Sequence, residues 1–476
     1  MSSWAVVLIA LLPGLVLQSL DVRLSAALAV QCVVLAHAGG ALARVLTATT
    51  ARLVAFGFWL FVYVWLGLAP LAMLAADQYP LQYRAGESTA FTATVLIEAG
   101  LVAYSAGTAL AARHAKNRSV VLEAALSRRI APMPLLLVCG LVCVLSVVLI
   151  PQLGGLGAFF SSRQAVKQAG AVADADDSSG VLMAWSLAVP AFWALLALVH
   201  LPRLRDGDRL LRGVRWMLLP LLLALNVVVN NPISKPRFWA GTVLLTLLFS
   251  SSRMWRPRAF RVTAAAVMAA VLLVFPYGDY FRYDKRESIT VVSLAEQFTT
   301  NMDYDAFHQM QTGIDYAKDN GFSPSTALGP VLFMVPRSAW PDKPQDSGVK
   351  IAQYAGYDFQ NISAPLWIES YLWAGFPAVM VVFCLLGAVG RRMDDIRNRA
   401  LGGPATLATL LIPAFAFYQL IFLRGSLMGI VGPLFLLLTV PFLITSRAAR
   451  TPRLSSAVVP AGTTAHATIS GRGGQP

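Results

Sequence analysis

Residues able to do chemistry are scarce in this chain, and they gather between apolar runs rather than within them. The stretch Asn230–Trp239 reads Asn-Asn-Pro-Ile-Ser-Lys-Pro-Arg-Phe-Trp and separates two long apolar runs. Its two prolines forbid a continuous helix, and Ser234 is placed to cap the helix that follows. Arg237 then falls in the first turn of that helix, where the macrodipole disfavours a cation by roughly 0.3–1 kcal/mol. An anion beside it removes the penalty. A phosphate would gain from the guanidinium fork and from the free backbone donors together. The plain alternative is a tight loop with a snorkelling arginine. Arg163, Arg282, Arg337 and Arg424 fall, like Arg237, at or near the ends of connections on one side of the chain. Guanidinium forks match phosphate oxygens two at a time. A set converging from separate loops would therefore clamp a diphosphate without a metal, with Asn231, Lys235 and Lys343 as further substrate contacts.

The same side also holds residues that could accept a proton. The same side carries Asp303, Asp305, Asp315, Asp342 and Glu369, and most acids in a long polar loop are simply solvated. Asp279 and Asp284 flank Arg282 next to the membrane, and His308 lies on a helical stretch. These three are the candidate bases, ahead of acids further out such as Asp346. Glu369 stands at the start of a helix, where a carboxylate complements the dipole. Glu98 sits inside the fourth apolar run, where a carboxylate is costly and by default a functional candidate. A hydrogen bond to a neighbour such as Tyr104 is its plain reading. The chain has no Walker loop, no Cys or His pair at metal spacing and no nucleophile elbow. No cofactor or metal is expected.

The elements that must position these residues are membrane helices. Of 476 residues 57% are hydrophobic and only 13% charged, against about one quarter charged in a soluble domain. Apolar runs near the 20 residues that cross a bilayer occur about twelve times. They fall at about 4–20, 24–42, 53–75, 89–112, 133–151, 181–201, 214–230 and 237–251, then 261–277, 366–390, 403–422 and 425–445. The first lacks a basic leader and a small-residue cleavage site, and reads as an anchor. Cys32, Cys139, Cys143 and Cys384 all lie inside the runs and read as small buried hydrophobes. The expected fold is an all-α polytopic membrane protein. Helices 1–9 occupy residues 1–276, an extracytoplasmic loop 277–365, helices 10–12 366–445, and a disordered tail 446–476.

Orientation follows from basic residues in the connections. One alternating set carries Arg44 and Arg52, the group from Arg113 to Arg129, Arg203 to Arg215, Arg253 to Arg261, Arg391 to Arg399, and the tail. Both termini are thereby placed in the cytoplasm, and most of the +14 net charge is spent on topology rather than on nucleic acid. Within the long outer loop, Phe307, Met310, Ile314 and Ala317 recur at helical spacing, predicting an amphipathic helix over Thr300–Asn320 that stops at Gly321. Leu328–Val335 is apolar but too short to span, and Trp340-Pro341-Asp342-Lys343-Pro344 makes a proline-pinned corner.

Three pieces together carry a resemblance: Asn230–Trp239 leading into Ala-Gly-Thr-Val, Pro336-Arg337 with Trp340-Pro341 and Lys343-Pro344, and Ser363, Pro365 and Glu369-Ser-Tyr with Gly375. With Arg424-Gly425, they resemble bacterial oligosaccharide repeat-unit polymerases of the O-antigen polymerase type, in pieces over residues 226–430. The resemblance implies a metal-independent glycosyltransferase of the cytoplasmic membrane. Its substrate would be a polyprenyl-diphosphate-linked oligosaccharide, transferred en bloc onto the next lipid-linked repeat at the outer face. The implied partners are the bilayer and the flippase and chain-length regulator of the same pathway. An O-antigen-ligase-like transferase would share these loops. A lipid-linked oligosaccharide flippase would instead carry related halves and mid-membrane polar residues.

Overall fold

The computed structural model describes residues 2–114, 120–161, 178–201, 209–233, 235–277, 292–360 and 362–447. In chain order the helices are α1 (Ser3–Leu17), α2 (Ala26–Thr47), α3 (Leu53–Ala76), α4 (Glu87–Arg113), α5 (Pro132–Gln152), α6 (Ser178–His200) and α7 (Arg209–Val229). Then come α8 (Arg237–Phe249) and α9 (Pro257–Leu273). Three shorter helices, α10 (Leu294–Thr300), α11 (Ala306–Asn320) and α12 (Ser347–Tyr354), belong to the long connection. The chain closes with α13 (Leu366–Ala400), α14 (Leu407–Arg424) and α15 (Leu427–Leu443).

Among the described residues eight helices are long and apolar enough to cross a membrane, and α1, α8 and α15 are shorter apolar helices. The protein is a polytopic membrane protein. Its apolar surface shows why: Leu137, Val147 and Trp216 are each more than 70% exposed, which water would punish and hydrocarbon does not.

The bundle is built around α3, whose hydrophobic window is wholly buried. Contacts between helices depend on small residues. A side chain added at Gly107 of α4 would meet the Cys384 carbonyl of α13 at 1.9 Å, and one at Gly387 of α13 would meet the Tyr104 carbonyl of α4 at 2.1 Å. Gly57 of α3 stands in the same relation to Ala416 of α14, at 2.0 Å. Backbones meet directly here, as membrane helices do where there is no hydrophobic drive between them. Residues Val62–Leu68 of α3 form a π-helical stretch. Gln31 of α2 donates to both Leu66 O and Gly67 O at 2.8 Å, so a side chain answers carbonyls the altered ladder leaves.

The two sets of connections gather at opposite ends of the bundle. At one end strand β1 (Arg129–Ile130) pairs antiparallel with β2 (Thr445–Ser446), and Arg261 donates to Thr47 O and Ala48 O. There too the Asp394 carboxylate accepts from Val54 N and Ala55 N, capping α3 from another helix. At the other end Arg23 N donates to Ala75 O, Asn301 Nδ2 to Pro276 O, and the segment from α10 to α12 is seated.

Several sequence expectations shift. The amphipathic helix begins at Ala306, because Asn301 is extended and its side chain accepts from Asp303 N, starting the tight turn Met302–Tyr304 instead. Its apolar face is as predicted: Phe307, Met310, Ile314 and Ala317 are buried, and Gly321 ends it at φ 77°. Leu328–Val331 is a single helical turn on α15, with Gly329 against Met428. α13 is broken at Ala374 and Gly375, where Gly375 takes φ 69° beside the Phe322 ring. Of the four cysteines only Cys139 is buried as expected; Cys143 and Cys384 are half-buried and Cys32 is exposed. The tail proposed at 446–476 lies almost entirely outside the described residues.

Candidate functional site

A cavity of about 630 Å³ opens where the turn before α8, the end of α14 and the long connection meet. Its polar wall holds Lys235, Arg237 and Arg424 together with Asp303, Asp305 and Asp346. Trp185, Tyr418, Ile421 and Ile430 supply an apolar wall.

The turn at Asn230–Trp239 is built by its asparagines. Asn230 donates to Ala188 O and Asn226 Oδ1, and accepts from the indole of the fully buried Trp239 at 2.8 Å. Asn231 donates to Phe159 O and Val228 O, while its own carbonyl accepts from Ile233 N. Asn231 therefore shapes the turn and stands behind the residues that line the cavity. Pro236 precedes the helix without a side-chain cap, and Ser234 lies outside the described residues. Lys235 is buried, donates to Ala184 O and lies over the Trp185 ring at 4.8 Å.

Arg237 occupies the first position of α8, as the spacing predicts. It forms an ion pair with Asp303, donates to Phe275 O at 2.9 Å and lies over the Phe275 ring at 4.9 Å. Arg424, the last residue of α14, pairs with Asp305 Oδ1 at 2.9 Å and donates to Met302 O and Asp303 O. Its guanidinium lies over Phe238 at 5.4 Å, and Phe238 packs on Phe275 at 4.8 Å, so one aromatic floor carries both cations. Trp65, from the π-helical stretch of α3, donates to Asp303 O and fixes the same turn from below. Among the described residues the Nη1 group of Arg424 has no hydrogen-bond partner, and its two hydrogens are donors.

The carboxylates differ in their partners. Asp303 and Asp305 each face an arginine, and Asp305 also accepts from Ser363 Oγ at 2.7 Å. Burial pushes the Asp305 carboxyl up, while Arg424 and Ser363 hold it down. Among the described residues no cation pairs with Asp346. Its Oδ1 caps α12 by accepting from Gly348 N and Val349 N, and its Oδ2 lies beside Gly429, whose missing side chain leaves it room. Behind the wall, the buried Glu369 stands in the first turn of α13 as expected, and also accepts from Ser347 Oγ and Leu427 N, joining α12, α13 and α15.

Of the arginines grouped by the sequence, Arg237 and Arg424 meet in this cavity and Arg337 does not. Arg337 is exposed and donates to Lys343 O, while Lys343 donates to Phe333 O and Val335 O. The proline corner consumes both, and Arg337 pushes the Lys343 ammonium below its ordinary range together with desolvation, which is the larger cause. Arg163, Arg282, Asp279 and Asp284 lie outside the described residues. His308 is fully buried on α11 and its Nε2 bonds Tyr83 O at 2.7 Å, away from the cavity. The structure does not bring it together with Arg237 and Arg424. Asp346, ranked below the others by sequence, is on the cavity wall because the loop folds back. Glu98 finds its partner in His37 of α2 at 2.8 Å, and His37 in turn meets Ser105 Oγ at 3.2 Å, while Tyr104 stacks on Phe58 instead.

Neither family models, known proteins nor solved structures give a match to this chain. The geometry of the cavity therefore carries the functional reading.

Proposed function

We propose that this protein is a membrane glycosyltransferase acting on polyprenyl-diphosphate-linked oligosaccharides, joining a growing glycan chain to the next lipid-linked repeat. In this reading the helices cross the membrane twelve times, α9 completing the eight long and three shorter apolar helices, and the cavity faces outward with both termini inside. The observation that carries it is the convergence of Arg237 and Arg424, from two distant points of the chain, with Lys235 beside them. A diphosphate leaving group needs positive charge in a site poor in water. Arg424 Nη1 and the Lys235 ammonium would bind it, while the pairs to Asp303 and Asp305 hold the guanidinia in place. The C–O bond from the sugar's anomeric carbon to the carrier breaks, and the bond to the acceptor hydroxyl oxygen forms. The acceptor's proton passes to a carboxylate, and Asp346 is the cavity acid free to take it. Displacement in one step inverts the anomeric centre.

The decisive measurement is of the lipid-linked glycans that build up when the protein is removed. Single repeats on the outer face are the expected result. Long unattached chains would indicate a ligase, and absence of any outward-facing intermediate a flippase. Arg424→Lys should lose most activity at normal expression, since lysine keeps the charge but cannot hold Asp305 and a phosphate at once.

A further inference from the structure

The segment from α10 to α12 carries a second group of side chains that the diphosphate chemistry does not use. Tyr83, just before α4, lies 6.0 Å from Tyr354 at the end of α12, and Tyr316 of α11 lies 5.6 Å from Tyr354. Tyr357 and Phe359 stack in parallel at 5.5 Å. Carboxylates are interleaved with the rings. The Tyr83 hydroxyl donates to Asp315, which Thr89 and Lys318 also hold, and the Tyr354 hydroxyl donates to Asp319, whose side chain is exposed. Phe359 is 38% exposed despite its size. An aromatic belt at a membrane interface would explain rings facing lipid, but it has no use for carboxylates bonded to their tips.

This ledge is continuous with the cavity by two routes. α12 starts on the cavity wall with Asp346 and Val349 and ends at Tyr354. At 1.5 Å per residue the eight-residue helix spans about 12 Å. The chain then turns back through Tyr357 and Phe359 to Gln360, Ile362 and Ser363, which line the cavity again. A ligand reaching out of the cavity along α12 would meet the rings next.

We propose that the ledge formed by Tyr83, Tyr316, Tyr354 and Phe359, with the exposed Asp319, binds sugar residues of the glycan at a distance from the bond being made. A pyranose presents a face of C–H groups that lies well on an aromatic ring, and hydroxyls at its rim that carboxylate oxygens accept. The ligand is a neutral or hydroxyl-rich oligosaccharide, and the site deepens the glycosyltransferase reading, on which it rests.

The test uses the full chain in detergent and, as probe, oligosaccharides cut by mild acid from the surface polysaccharide of the parent cells. Saturation-transfer NMR should detect binding to the wild type. Tyr354→Ala and Phe359→Ala should each weaken it about tenfold, the value of one good aromatic contact, while Tyr354→Trp, which keeps a ring, should bind like the wild type. Phe359 is exposed, so its variant reports on the ledge even where Tyr354→Ala fails to fold. In cells, both alanine variants should shift the polymer towards shorter chains. Equal binding by the wild type and Phe359→Ala, or no binding by the wild type, would overturn the ledge. Failure of the underlying reading looks different: repeat joining would continue when the protein is removed, whatever the ledge binds.

Discussion

Arg237 and Arg424 were legible as candidates because, in the orientation expected from the basic residues, arginine at these chain positions breaks the positive-inside tendency and needs a reason. Their partners were not legible. Asp303, Asp305 and Asp346 look alike in a run of polar loop, and only the tight turn Met302–Tyr304 and the cap of α12 give them different neighbours. That difference is testable. Asp346→Asn should lower the rate of chain joining by about 10²–10⁴ with little change in unfolding temperature, since the amide oxygen still caps α12. Asp305→Asn should do the reverse in emphasis. It leaves Arg424 facing a neutral group in a site where Asp305 is only 3% exposed, costing on the order of 3 kcal/mol of stability. Kinetics on reconstituted protein beside a melting curve separates the two. Equal activity of Asp346→Asn and wild type would remove Asp346 as the base.

Helices are where the sequence was most readable, and their meetings where it was least. Apolar runs gave their positions to within a few residues for α3, α4 and α8, but α13 continues to Ala400, ten residues past the run at 366–390, because its last turns are held by Asp394 and Arg397 against other helices. Nothing in a run of glycine and alanine says which glycine touches another backbone. Gly387→Ala should force α13 away from the Tyr104 carbonyl and lower the yield of folded protein several-fold, whereas Gly241→Ala, with open space around it, should not. Detergent-extracted yield and unfolding temperature of both variants check this. At α11, burial pushes the His308 imidazole down to about 4, and Arg84 pushes the same way against the Tyr83 carbonyl. The unfolded side chain titrates at 6.5, so the neutral ring favours folding above that pH. This contribution is lost as pH falls from 6.5 towards 4, about 3 kcal/mol in all. Hydrogen exchange across α11 should speed up over that window, and His308→Asn should flatten the response. An unchanged acid profile in the variant would assign the loss to other groups.

At the scale of the whole molecule, the alternating basic residues separated two sets of connections, and the structure gathers each set at its own end of the bundle. The pairing of Arg129–Ile130 with Thr445–Ser446, and of Arg399 with Glu123, joins connections far apart in sequence that the charge pattern had put together. The polymerase reading needs more than two ends: it needs the cavity end to face away from the cytoplasm, where the polyprenyl carrier presents finished repeats. A diphosphate held at the headgroup cannot leave that depth without exposing its tail, at about 0.8 kcal/mol per methylene. The site must come to the lipid, and it must do so on the outer side. Asn320 on α11 and Ser127 beside β1 are both exposed and lie at opposite ends. With the four native cysteines replaced, Asn320→Cys should react with an impermeant thiol reagent in intact cells, and Ser127→Cys only after permeabilisation. If Ser127→Cys labels in intact cells and Asn320→Cys does not, the cavity opens to the cytoplasm, and a transferase acting on outward-facing repeats is ruled out.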